Sequence, residues 1–243
     1  MKPKVNILYS PGTNCHHETA KAFQMAGADT AICNLTDDLL SGKKLMTDCD
    51  LLAVPGGFSF GDHLGAGRIF GLDLITRLKD QLLEVREKRI PMIGICNGFQ
   101  ILMNTGLLPG TDPIGEPHAV LDRNCSAVFE SRWVTLSVEN KNSIWTQSVT
   151  SSELRMPVAH GEGRLLLRDG IGPEQTVFRY KGKNGKADYP FNPNGSPEDR
   201  AGITDPDGLI LGLMPHPERA IYPWNGSEDG LQILRSGVEA VAG

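Results

Sequence analysis

No two cysteines of this chain stand in a C-x-x-C pair. Cys15, Cys33, Cys49, Cys96 and Cys125 make an odd, widely spaced set of five, which argues against a disulfide framework and a zinc knuckle. Their plainest reading, with Cys96 as the exception argued below, is as small buried hydrophobes. No apolar run is long enough to span a bilayer, and the stretch Val5 to Tyr9 is too short for the core of a secretory signal. A basic run is missing too. With 24 Lys and Arg against 29 Asp and Glu the net charge is −5, so the electrostatic footprint of a nucleic-acid binder is lacking. Neither Gly-x-Gly-x-x-Gly nor a Gly-Lys-Ser/Thr ending occurs, which excludes the common phosphate loops. Repeats, linkers and low-complexity tracts are also absent. The 243 residues therefore read as a single domain, 1–243, expected in the cytoplasm, with no membrane and no nucleic acid as partner.

What is present is a strand–helix rhythm. Val5 to Tyr9 is a buried strand closed by Ser10-Pro11-Gly12. A helical spacing through Ala20, Phe23 and Ala26 stops at Gly27, and Ala31 to Cys33 offers a second strand. Leu51 to Val54 is a third, followed by one long amphipathic helix from Ile69 to Glu87 with Leu72, Ile75, Leu78, Leu82 and Val85 as its apolar positions. Ile90 to Ile95 is a fourth strand, and the helix around Phe99 to Met103 stops at Gly106. Continuous apolar strands alternating with helices imply a three-layer α/β fold, a mostly parallel sheet with helices on both faces. In the second half, Trp133 to Val138 and Thr176 to Tyr180 read as added antiparallel strands. Lys181 to Arg200 reads as a long surface loop, Leu209 to Met214 as a last buried strand, and a terminal helix begins near Glu228.

Three motifs follow strands, where sites of open α/β sheets gather. Gly94-Ile95-Cys96-Asn97-Gly98 has the pattern of a nucleophile elbow with cysteine as the nucleophile. A helix beginning after Cys96 favours its thiolate and leaves the backbone N–H of Asn97 for an oxyanion. Pro215-His216-Pro217-Glu218 follows the last strand. Pro217 holds His216 extended, so His216 and Glu218 face one way and can act as base and orienter. Pro55-Gly56-Gly57 ends a strand as well, and Gly57 can turn a second N–H toward the oxyanion. Each motif alone has a plain alternative: a core cysteine, a turn histidine, an ordinary glycine loop. Cys15-His16-His17 lacks the spacing of a tetrahedral metal set and reads as surface capping near a helix start, so no metal is expected.

Taken together and in this order, Pro-Gly-Gly, Gly-Ile-Cys-Asn-Gly-Phe-Gln and His-Pro-Glu resemble the class I (triad) glutamine amidotransferases, a flavodoxin-like family. Three further stretches sharpen the likeness: Pro11 to Cys15, Ala159 to Arg164 and Asn192 to Ser196. They are similar to glutaminase subunits that serve the amide-transferring step of purine biosynthesis. The resemblance implies a Cys96 nucleophile, a His216 base, a Glu218 orienter, oxyanion donors Gly57 and Asn97, and Gln100, His160, Gly161 and Glu162 around bound L-glutamine. It also implies no cofactor in this chain. ATP and Mg would act in a separate synthase subunit, with a small accessory subunit in many cases, on formylglycinamide ribonucleotide. His16, after Cys15, and the stretch Asp62-His63-Leu64-Gly65 depart from the family pattern without touching the triad. Two rival classes share the same features: a cysteine peptidase or esterase, and a non-catalytic α/β binding module.

Overall fold

The computed structural model describes residues 1–243 except 112, 118, 168–170, 184–185 and 243. The first half alternates as expected: β1 (Lys4–Tyr9), α1 (His16–Met25), β2 (Asp29–Asn34), β3 (Leu51–Val54), α2 (Arg68–Arg77), α3 (Lys79–Glu87), β4 (Met92–Ile95) and α4 (Asn97–Thr105). There follow β5 (Ala119–Arg123), β6 (Glu130–Val138), β7 (Glu153–His160), β8 (Glu162–Leu167), β9 (Thr176–Tyr180), β10 (Arg200–Thr204), β11 (Ile210–Leu213) and α5 (Gly230–Val241).

One nine-stranded sheet runs in the order β2-β1-β3-β4-β11-β10-β9-β6-β7, with β5 and β8 pairing apart from it. From β2 to β11 neighbours are parallel, and from β11 to β7 they are antiparallel. Strands β1, β3, β4 and β11 carry runs such as Leu51-Leu52-Ala53-Val54 because both faces of the parallel half are covered. The chain leaves β1 toward β2 on one side and then continues through β3 and β4 on the other. Right-handed crossovers therefore put α1 on one face and α2 to α4 on the opposite one. The packing agrees: α1 meets α5, whereas α4 meets α2 and lies on β3, β4 and β11. Among the described residues no helix is long and apolar enough to cross a membrane.

The structure corrects several sequence expectations. The single helix from Ile69 to Glu87 is two, broken at Leu78 (φ −125°, ψ 20°). Phe70, Leu74, Leu78, Leu82 and Val85 are buried apolar positions, and Leu72 is exposed. Steps of four residues drift about 40° per step on a straight α-helix, so the break returns this stripe to the sheet. β7 was missed because Pro157 interrupts it, yet Pro157 lies on an edge strand, where its missing N–H costs no ladder bond. The polar run Arg200-Ala-Gly-Ile-Thr gave no strand signal, although β10 is central. The expected loop from Lys181 to Arg200 is only partly a surface loop, residues 184–185 lying outside the described set. Its latter part is a buried knot. Asn192 accepts from Gly195 N at 2.9 Å and donates to Ser196 O at 2.9 Å, and Asn194 Oδ1 accepts from Ser196 Oγ at 2.7 Å.

Candidate active site

Cys96 sits on the turn between β4 and α4 with φ 52° and ψ −106°, a conformation rarely adopted by a residue with a side chain. The flanking glycines act differently from the sequence reading. Neither supplies a positive φ; they allow close approach. A Cβ on Gly98 would lie 1.8 Å from Val54 O, and one on Gly94 would lie 2.7 Å from Gly98 O. The elbow is thus pressed between two strands, and Cys96 N donates to Leu213 O at 2.8 Å. Cys96 itself takes the strain. Its thiol lies at the N-terminus of α4, 3.6 Å from Ala159 O.

His216 follows β11, and its N–H donates to Pro157 O at 2.8 Å, which fixes it against β7. The residue is extended (φ −102°, ψ 91°), but Pro217–Arg219 forms one 3-10 turn. It is this turn, rather than strand alternation, that brings Glu218 back to the ring. His216 Nδ1 lies 2.6 Å from Glu218 Oε1, with both side chains buried. Burial alone would push the imidazole pKa down. The Glu218 carboxylate, together with Cys96 and Cys15, outweighs it and holds His216 well above the ordinary histidine value.

The loop after β3 meets the loop after β1. Cys15 N donates to Gly56 O at 3.2 Å and Phe58 N to Gly12 O at 3.0 Å, a one-bridge pairing of Thr13 with Gly57. Gly57 is the middle residue of this bridge, so its own N–H points away from the Thr13 side. Its φ of +145°, and the 2.7 Å that would separate a Cβ from Asn14 N, require glycine. Asn97 N–H belongs to the first turn of α4, where the helix offers no acceptor.

Side chains lock this loop to α4. Asn97 Oδ1 accepts from Ser59 N at 3.2 Å, and Asn97 Nδ2 donates to Asp62 Oδ1 at 3.2 Å and Gln100 Oε1 at 3.0 Å. Gln100 Nε2 donates to Glu162 O at 2.6 Å, and Glu162 Oε2 accepts from Ala66 N at 3.3 Å. Gln100 and Glu162 thus brace the loop, and Gly161, 3.8 Å from Phe129 at its Cβ direction, marks the turn from β7 to β8. His160 is buried behind it. Its Nδ1 is 3.0 Å from Asn124 Oδ1, and burial, with the charge of His216 adding to it, lowers its pKa to about 3.

Sequence reasoning missed two neighbours of the triad. Cys15 is not a surface cap: it is buried, it makes no side-chain cap bond, and its Sγ lies within 4.8 Å of polar side-chain atoms of His216 and Glu218. Arg219 Nη2 is 3.0 Å from Cys15 Sγ, and Arg219 Nε is 3.1 Å from Glu18 Oε2. The one available signal was the position of Cys15 after a strand-end loop, like the other site motifs. The His16 ring packs, tilted, against the rings of Tyr9 and His17 instead of joining Cys15. Cys125, taken for a core residue, is exposed.

The model of the CobB/CobQ-like glutamine amidotransferase domain matches residues 2–233. The chain belongs to that glutamine amidotransferase family. Among relatives of this amidotransferase, the phosphoribosylformylglycinamidine synthase subunit PurQ of Methanococcus maripaludis is 42% identical over 232 residues, covering 91% of this chain and 85% of that one. The PurQ subunit of Dehalococcoides mccartyi is 39% identical, with 98% of this chain and 97% of that one covered. Among solved structures, a chain of PurLQS from Thermotoga maritima superposes with a TM-score of 0.81 at 32% identity, 99% of each chain being covered.

Proposed function

We propose that this amidotransferase is the glutaminase subunit of phosphoribosylformylglycinamidine synthase. The reading is carried by the 2.6 Å His216–Glu218 pair beside Cys96 at the head of α4, in a chain 42% identical to a PurQ subunit. His216 takes the Cys96 proton and Glu218 steadies the resulting imidazolium. The thiolate attacks the γ-carboxamide carbon of L-glutamine, and the oxyanion that forms is held by the N–H groups of Gly57 and Asn97. His216 then returns the proton to the nitrogen, the C–N bond breaks, and ammonia leaves behind a Cys96 thioester. Water, deprotonated by His216, hydrolyses the thioester to glutamate and frees the thiol.

Ammonia passes to a synthase subunit, the partner in which ATP and Mg act on formylglycinamide ribonucleotide, with a small accessory subunit completing the assembly. Ammonia lost to water is protonated and wasted, so transfer through protein is favoured. A cytoplasmic location is part of this reading. A glutamine-analogue affinity label followed by peptide mapping tests the reading. Modification of Cys96, prevented by glutamine, is expected; an unmodified Cys96 overturns it.

A further inference from the structure

The Glu218 carboxylate is only half used. Its Oε1 lies 2.6 Å from His216 Nδ1, whereas among the described residues its Oε2 is buried without a hydrogen-bond partner. A guanidinium stands beside it: Arg219 Nε is 4.0 Å from Glu218 Oε1, too far for a hydrogen bond. An arginine and a carboxylate so close ordinarily draw together into a short, two-pronged pair, and an unmet buried oxygen favours that closure further. Arg219 is instead held back. Its Nη2 donates to Cys15 Sγ at 3.0 Å and its Nε donates to Glu18 Oε2 at 3.1 Å.

Cys15 is a firm anchor for this contact. Its N–H donates to Gly56 O at 3.2 Å, its carbonyl oxygen accepts from Thr19 N at 2.9 Å and from Thr19 Oγ1 at 2.8 Å, and its thiol donates to Asn14 Oδ1 at 3.2 Å. Glycine at position 56 leaves the sulfur its room, since a Cβ there would lie 3.3 Å from Cys15 Sγ. Cys15 is buried while the Arg219 side chain is 32% exposed, so the fixed partner is the sulfur and the movable one is the guanidinium.

We propose that Cys15 is a positioning residue of the amidotransferase site: its sulfur tethers the Arg219 guanidinium and so reserves the Glu218 carboxylate for His216. The inference rests on the catalytic reading above. A released Arg219 would close on Glu218 and compete with the imidazolium for the same negative charge. His216 would then hold a proton less well, and less Cys96 would stand as thiolate near neutral pH. The titratable and charged groups facing His216 are Glu218 and Arg219 on its own turn, Cys96 at the head of α4, Cys15 at the head of α1 and His160 at the end of β7. Of these, Arg219 alone carries a permanent positive charge.

The test reads the Cys96 thiolate and needs no turnover. The full chain is alkylated with iodoacetamide at pH 7 and at pH 10, and the rate at Cys96 is followed by peptide mapping. In Cys15→Ala the ratio of the pH 7 rate to the pH 10 rate should fall roughly tenfold, with kcat/KM for glutamine falling alongside it. Cys15→Ser, whose hydroxyl still accepts from Arg219, should keep both near the native values. Adding Arg219→Gln to Cys15→Ala should restore the ratio, because the competing charge is gone, whereas a purely structural loss at Cys15 would not be repaired in this way. Circular dichroism establishes folding. Should Cys15→Ala not fold, Cys15→Val, which fills the volume of the sulfur but accepts no hydrogen bond, takes its place with the same expected fall. An unchanged ratio in the folded apolar variant, an equal loss in Cys15→Ser, or no recovery on adding Arg219→Gln overturns the proposal. A native chain that releases no ammonia from glutamine would sink the catalytic reading, while the alkylation ratios would still decide the tether.

Discussion

Gly98 and Val54 approach so closely that a methyl group on Gly98 would stand 1.8 Å from the Val54 carbonyl oxygen. The first turn of α4 is thereby pressed onto the end of β3, and this sets both the position of Cys96 and the distance from the Asn97 N–H to Gly57. Gly98→Ala must push the helix back. The expected cost is about 1–3 kcal/mol from overpacking, with a larger proportional loss of ammonia release, since a small displacement of reacting groups can cost about 10²-fold. Urea unfolding and steady-state glutaminase assays measure the two. Full activity in a folded Gly98→Ala chain would refute this role.

Within the triad the losses should be unequal. Cys96→Ala removes the covalent path, and ammonia release should fall by roughly 10⁴-fold or more. Glu218→Gln leaves the base and loses the charge that steadies it, so roughly 10²–10⁴-fold is expected. Because the residues act as a unit, the Cys96→Ala, Glu218→Gln double variant should be little worse than Cys96→Ala. Additive losses would show that Glu218 works elsewhere.

Asn97 carries two separable functions, a backbone N–H toward the oxyanion and a side chain that holds Ser59, Asp62 and Gln100. Asn97→Ala keeps the first and removes the second. The amides of the loop from Gly56 to Gly67 should then exchange hydrogen faster, and kcat should drop by roughly 10–100-fold, as a loosened support does elsewhere. Unchanged exchange in that loop would show that the staple is dispensable.

How far the sequence discloses this site can be judged residue by residue. Cys96, His216 and Glu218 were legible because strand-end motifs carry their chemistry locally: a glycine-flanked cysteine, a proline-fixed histidine, a carboxylate two residues on. Cys15 and Arg219 were not, since their meeting joins positions at opposite ends of the chain and leaves no periodic trace. The parallel half of the sheet was legible for a related reason: burial on both faces writes itself as continuous apolar runs. β10 and β7 escaped because their burial comes from neighbours across the sheet, with glycine, arginine and proline inside the strands. The roles read for Gly94 and Gly98 were right in residue type and wrong in cause. Sequence shows that a small residue is there, and only packing shows whether it is needed for rotation or for room.

His160 should make the protein acid-sensitive. Its folded pKa of about 3 lies below the ordinary 6.5, so below about pH 6.5 the unfolded chain takes up a proton that the folded one refuses. Stability is therefore lost as pH falls, by about 1.4 kcal/mol per unit from this one group between those limits. His160→Asn lacks the group, and its urea midpoint should change less between pH 7 and pH 5 than the native one. Parallel pH dependences would rule out this source.

The final prediction concerns turnover in the absence of the synthase. The oxyanion loop has a tethered backbone and uncovered apolar side chains. Ser59, Asp62 and Ala66 are tied to Asn97 and Glu162, while Phe58, 48% exposed, and Leu64, 66% exposed, keep much of their apolar surface in water. Phe58 directly follows Gly57, and its ring stacks 6.5 Å from that of Phe129, also exposed. A partner that covers Phe58 would therefore restrict the residue next to the oxyanion donor and bias the loop toward its productive state, the kind of ordering that gates other active sites. The isolated chain should release ammonia slowly, and addition of synthase subunit, nucleotide and formylglycinamide ribonucleotide should raise kcat more than it lowers KM. Phe58→Ser should blunt that rise while leaving the slow rate of the chain alone nearly intact. Equal rates with and without the synthase would exclude gating by the partner, and a full rise in Phe58→Ser would exclude this loop as the place where it acts.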